Sequence, residues 1–183
     1  MNYWNEKVHS MNSSTEEKNN HNQVPVMQQN LELLKELPFF HYFPDKSLKL
    51  LAFLAKRSTL AAGELLFDEG EDFGQAYLLL SGELTLLKRS GEEARIVRHY
   101  YSGDFLGSFS LLGSMPSLFA LQATADTTVL TIGREEFAKI LEQFPETGKL
   151  ALKALLKELH GWERKNLAEA TPPGLNLAGA TML

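Results

Sequence analysis

The sequence predicts a mainly β fold with flanking helices, a roll of short strands in the double-stranded jelly-roll class. Three observations carry this expectation. Gly63, Gly70, Gly74, Gly82, Gly91 and Gly103 punctuate short apolar runs at roughly 8–12 residue intervals, the spacing of sandwich and barrel strands. Ahead of this region, apolar residues recur at spacings of three and four, the period of a helix that buries one face. The same helical period returns behind it, from Arg134 onward.

Residues 1–28 are rich in Asn, Ser, Glu and Gln and carry neither apolar period, so a disordered leader is expected there. Tyr3 and Trp4 are the residues that a partner-binding tether would use. Leu31, Leu33, Leu34 and Leu37 form a short helical face that Pro38 stops. Phe39, Phe40, His41, Tyr42 and Phe43 make an aromatic knot, and Pro44-Asp45 opens a second helix with Leu48, Leu51, Ala52 and Ala55 on its apolar side. Strands are expected over 58–61, 64–67, 76–80, 83–88, 95–100, 118–125 and 128–132, with Ser90-Gly91 at a hairpin tip. A helix over 134–143 follows, with Phe137, Ile140 and Leu141 facing inward. The last helix starts at Pro145 and reaches about Glu169, where Thr171-Pro172-Pro173-Gly174 ends it. One domain over residues 31–169 results, with 170–183 as a flexible tail.

The 183 residues suit a single domain with extensions, and a hydrophobic content of 44% suffices for its core. A net charge of −5 argues against nucleic acid or an anionic membrane as the main partner. The one near-basic stretch, Lys149 to Lys165, is interrupted by acids. The chain lacks cysteine, which excludes disulfides and thiolate metal sites and fits a reducing compartment. No basic n-region precedes an apolar stretch, and no apolar run approaches the roughly 20 residues of a membrane span. A cytoplasmic protein is expected.

The most informative motif is Gly103-Asp104-Phe105-Leu106-Gly107-Ser108, running through Phe109 to Leu111-Leu112 and then to Met115-Pro116-Ser117-Leu118-Phe119. Two further segments stand in order before it, 62–71 (AGELLFDEGE) and 76–84 (AYLLLSGEL). Together they resemble the cyclic-nucleotide-binding domain family, in particular the sensor half of catabolite-activator-type bacterial regulators. The resemblance covers about residues 31–168 and implies a β-roll whose cassette grips a cyclic nucleotide. In the family a short helix after the Gly-Asp-Phe-x-Gly turn points backbone N–H groups at the cyclic phosphate. A Glu ending the turn accepts the ribose hydroxyl, and an Arg after the Pro neutralises the phosphate.

Here the turn and helix start survive, but the Glu position holds Ser108, the Arg position holds Ser117, and Leu118-Phe119 replaces the usual small pair. A charged hydrogen bond is worth roughly 1.5–3 kcal/mol, so losing two weakens nucleotide binding on the order of 10²–10⁴-fold. Gly103, Phe105, Leu106, Gly107, Ser108, Phe109, Ser117, Leu118 and Phe119 are the candidate ligand-binding residues of a divergent or vestigial pocket. Ser108 and Ser117 either cap helix and turn or belong to a pocket re-tooled for a less anionic or more apolar ligand, lined by Leu118, Phe119 and Leu121. An alternative is a functional cAMP or cGMP receptor whose phosphate is held by backbone amides and by a cation such as Arg95 or Arg98.

A cupin-like jelly-roll enzyme is the catalytic alternative. It needs two His separated by one residue on a strand, and His9, His21, His41, His99 and His160 offer no such pair. No nucleophile elbow is present either. No catalytic residue, metal or cofactor is expected. Regulators of the resembled type often carry a helix-turn-helix after the long helix; residues 170–183 are too few for one and contain no Lys or Arg, so DNA is not an expected partner. Leu152, Leu155, Leu159 and Trp162 repeat at 3-4-3 spacing, a stripe of the coiled-coil kind. It either packs on the chain's own roll or joins a partner protein or a second copy, as the equivalent helix does in the resembled regulators. The expected function is a non-catalytic regulatory or interaction module.

Overall fold

The computed structural model describes residues 26–90 and 93–170. The expected leader up to residue 25, Gly91 at the hairpin tip and the tail beyond 170 lie outside the described residues. Helix α1 covers 26–36 and so takes in 26–28, which the sequence assigned to the leader. Leu31 and Leu34 are buried along it and Leu37 just past its end, and Pro38 then opens a 3-10 turn, Pro38–Phe40. Helix α2, Asp45–Leu54, buries Leu48, Leu51 and Ala52; Ser47 donates to the Pro44 carbonyl at its start.

Eight strands follow: β1 Lys56–Leu60, β2 Leu65–Phe67, β3 Gln75–Ser81, β4 Leu84–Ser90, β5 Glu93–Tyr100, β6 Phe105–Leu106, β7 Ala120–Ala123 and β8 Thr127–Gly133. They form two four-stranded antiparallel sheets, ordered β1-β8-β3-β6 and β2-β7-β4-β5. The roll expected from the glycine spacing is therefore present. Strand β6 is the element that the sequence placed in a turn, because two residues are too few to show a period. Strand β7 is shorter than the expected 118–125, since residues 117–119 are used in a turn.

Strand β3 explains the layered core. Its run Ala76-Tyr77-Leu78-Leu79 is buried on both faces, as a central strand with cover on each side must be. Tyr77 and Leu79 point between the sheets, where Phe67, Leu84, Leu121, Ala123 and Val129 fill the roll. Ala76 and Leu78 point outward, with Leu130 and Ile132, under a helical layer that includes Phe39, Phe40, Phe137 and Ile140. Phe39 and Phe40 meet edge to face at 4.8 Å, and their ring centres lie 5.7 and 5.4 Å from that of Phe105 on β6. The aromatic knot thus clamps the first strand of the cassette.

Helix α3, Arg134–Gln143, packs Phe137 and Ile140 into that layer, and α4 runs Glu146–Ala170. The 3-4-3 stripe on α4 is divided by the packing. Leu155 is buried with Ala151 and Ala154 in the chain's own core, whereas Leu152, Leu159 and Trp162 stay exposed. The interface assignment of Leu155 is corrected: α4 is seated so that Leu155 lies with Ala151 and Ala154 against the chain's own helical layer, a choice made by packing and not by the stripe's spacing. Leu156, at 57% exposure, takes its place on the outer face.

Candidate functional site

The cassette is built on β3. Gly103 N–H donates to the Leu79 carbonyl at 2.8 Å, and Leu79 N–H donates to the Asp104 carbonyl at 3.0 Å. The Asp104 carboxylate accepts from Tyr101 N–H at 2.8 Å, which closes the turn leading into β6. Phe105 and Leu106 then pair with Leu78 and Tyr77. Gly107 follows in the left-handed region at φ +81°; a Cβ there would lie 2.6 Å from the Gln75 carbonyl oxygen. Only glycine meets both conditions without strain. This close approach seats the 3-10 turn Ser108–Leu111 against β3.

The two serines at the family's anchor positions are both engaged elsewhere. Ser108 is buried, and its hydroxyl donates to the Glu158 carboxylate of α4 at 2.8 Å. It makes no capping bond to its own helical turn, so the capping role expected for it is corrected: the turn already has Gly107 at its N-terminus, and the hydroxyl faces α4. Much of Glu158 remains exposed, but its carboxylate end packs against the cassette. Desolvation raises its pKa, and the Ser108 hydrogen bond opposes the rise. Ser117 does serve as a turn cap: its hydroxyl donates to the Phe119 carbonyl at 2.7 Å and accepts from Phe119 N–H at 3.2 Å. Its backbone pairs with the loop before β3, through Glu71 and Gly70.

Two ion pairs that sequence spacing did not reveal hold the cassette in place. Arg134, at the start of α3, grips Asp72 through both terminal nitrogens, at 2.9 and 2.5 Å, and its Nε donates to the Ser110 carbonyl at 2.6 Å. The guanidinium, with help from Ser114 and from Met115 N–H, holds the Asp72 carboxyl well below the usual carboxylate range. Lys88 on β4 pairs with Glu69 and donates to the Leu118 carbonyl at 3.0 Å, with its ammonium 5.8 Å from the centre of the Phe119 ring. The partners stand 62 and 19 residues apart in the chain, so no local pattern announces them.

Of the remaining candidates, Leu118 is 70% exposed and Phe109 is also exposed, while Phe105 and Leu106 are partly buried. Leu106 packs on the roll's inner cluster, as Leu86 and Tyr100 also do. Leu121 lies in that core, fully buried, rather than on an open pocket wall. His99 Nδ1 sits 2.7 Å from the Glu83 carboxylate and 3.3 Å from the Thr85 hydroxyl. Among the described residues no group of three His, Cys, Asp or Glu is placed to hold a metal ion. No helix among them is long and apolar enough to cross a membrane.

Known proteins agree with this architecture. The family profile described as the cyclic nucleotide-binding domain matches residues 57–144. A cyclic nucleotide-binding-like protein from Brucella abortus is 33% identical, with a TM-score of 0.58 over 62% of this chain and 98% of that one. A cAMP-dependent protein kinase regulatory subunit from Colletotrichum orbiculare is 29% identical over 110 residues, 60% of this chain and 28% of the relative. The chain therefore spans about a quarter of the length of the curated relatives it matches. The catabolite activator protein of Thermus thermophilus, 24% identical, shares the fold with a TM-score of 0.59 over 73% of this chain and 61% of that one. With a matching cassette, a matching roll and a relative covered almost end to end, the chain belongs to the cyclic nucleotide-binding domain family.

Proposed function

We propose that this chain is a non-catalytic regulatory module whose roll does not hold cAMP or cGMP tightly. The observation that carries the reading is the fate of the two anchor positions. Ser108 donates its hydroxyl proton to Glu158 and Ser117 donates its own to the Phe119 carbonyl, so neither hydroxyl has a proton left to offer a phosphate. Residues 103–119 also contain no Lys, Arg or His to neutralise a phosphate from the cassette itself. The regulatory role is supported by the kinase regulatory subunits that it resembles. Residues 31–169 form the functional unit, and its partner is a protein.

The outer face of α4 supports pairing with a second copy. Leu152, Leu156 and Leu159 are each about half exposed, and they line one side of the helix with Trp162 beyond them. Calorimetric titration with cAMP and cGMP tests the ligand reading. Dissociation constants weaker than about 100 μM are expected from the two lost charged contacts; low-micromolar binding of either nucleotide overturns it.

A further inference from the structure

We propose that the roll has a second binding site on the side away from the cassette, a cleft between β1 and β2 that takes a neutral polyhydroxylated molecule, a sugar or a polyol. This site is independent of what the cassette holds. The sheet orders give the roll two open sides, one between the edge strands β6 and β5, the other between the edge strands β1 and β2. The cassette belongs to the first side through β6. The cleft, of about 480 Å³, occupies the second, and its volume lies within the roughly 300–1,000 Å³ of small-molecule sites.

The strand register places a polar shelf inside this cleft. Tyr77 pairs with Thr131 and Thr131 with Lys56, while Leu79 pairs with Val129 and Val129 with Ser58. Both rows run on the inner face of their sheet, from the central strand β3 to the edge strand β1. They start on core side chains and end on polar ones, whereas an inner face that met the opposite sheet would stay apolar. Gln75, two residues before Tyr77, shares the face, and the Tyr77 hydroxyl donates to its Oε1 at 2.9 Å. Burial, with the charge of Glu71 adding to it, pushes the Tyr77 phenol up to about 12, so it stays neutral and keeps hold of the Gln75 amide.

The shelf has unspent hydrogen-bonding capacity. The Ser58 and Thr131 hydroxyls and the Gln75 Nε2 have no partner among the described residues. Glu64, on the facing side, accepts from Ala61 N–H through Oε2 at 2.8 Å, and its Oε1 has no partner among them either. Hydroxyls that donate and accept, an amide that donates and a carboxylate that accepts therefore line one cleft. Leu66 and Val129 add apolar surface against which the C–H groups of a ring can lie. Among the described residues no Lys, Arg or His lines the cleft; Lys56, last in its row, stands outside the lining. A phosphate or carboxylate would find no counter-charge there, whereas a neutral molecule rich in hydroxyls meets both kinds of partner.

The test follows the backbone amide signals of the full chain by NMR as glucose, maltose or myo-inositol is added, with glucose 6-phosphate as the charged control. At least one neutral probe should give saturable shifts at residues 58, 75 and 131, with a dissociation constant of about 10 mM or tighter. Ser58→Ala combined with Thr131→Val should weaken that binding about tenfold. The double variant should keep the rest of the spectrum, because neither hydroxyl bonds to the described protein. Thr131→Ser, which keeps a hydroxyl, should bind within about threefold of the parent. Shifts confined to residues 103–119, binding indifferent to the double variant, or no saturable shift from any of the three up to about 100 mM overturns the inference. Glucose 6-phosphate binding about tenfold tighter than glucose overturns it as well, since a cation would then be reading the ligand.

Discussion

The Ser108 hydroxyl donates to the Glu158 carboxylate at 2.8 Å, joining residues fifty positions apart. The contact ties the start of the cassette's helical turn to the long α4 helix. A position that the family uses for its ligand is here an internal strut.

This strut gives stability a defined pH dependence. The folded Glu158 pKa lies above its ordinary value of 4.5. Below 4.5 the carboxyl is protonated in both states; as pH rises from 4.5 through the raised folded value, ionisation favours the unfolded chain, and stability falls. Glu158→Gln should therefore be at least as stable as the parent at pH 7 and no more stable near pH 4. Ser108→Ala should cost about 1 kcal/mol or less at pH 7, because the carboxylate it leaves is partly in water. Urea denaturation at both pH values checks the pair; a Glu158→Gln loss confined to neutral pH would contradict the desolvation argument.

The Arg134 clamp has the opposite pH signature. Asp72 titrates below its ordinary 3.8 because Arg134 holds it, so its contribution is complete above 3.8 and is lost as pH falls through the lower folded value. Asp72→Asn should flatten the acid limb of the melting curve. Arg134→Ala should in addition release the Ser110 carbonyl and speed amide exchange across residues 108–112. Unchanged exchange there would show that β3 alone holds the turn.

Gly107 and Gly113 make a controlled pair. Gly107→Ala places a Cβ 2.6 Å from a backbone oxygen at positive φ, whereas a Cβ at Gly113 meets nothing within 4 Å. The first substitution should cost about 2–4 kcal/mol and the second under about 0.5 kcal/mol in denaturant titration. Equal costs would mean that the cassette turn shifts freely.

On α4 the buried and exposed leucines should separate folding from assembly. Leu155→Ala should cost about 2–4 kcal/mol, because it opens a cavity in the chain's own core. Leu152→Glu combined with Leu156→Glu should leave circular dichroism unchanged and reduce a dimer to a monomer by light scattering. A parent chain that is already monomeric at micromolar concentration removes the pairing proposal and leaves the core prediction intact.

The sequence by itself determined the roll, its flanking helices and the cassette, because these rest on local rules. Glycines at turns, the two-residue and 3.6-residue apolar periods and the Pro38 stop act within a few residues, and the structure follows them from α1 to α4. Tertiary structure alone decided where the functional side chains point. Ser108 meets Glu158, Arg134 meets Asp72 and Lys88 meets the Leu118 carbonyl only because packing brings distant elements together. Leu155 and Leu159 read alike along the chain, as members of one 3-4-3 stripe, yet the seating of α4 buries one and exposes the other. Period fixes which residues share a face; it does not fix which face finds a partner, and that choice belongs to the assembled core.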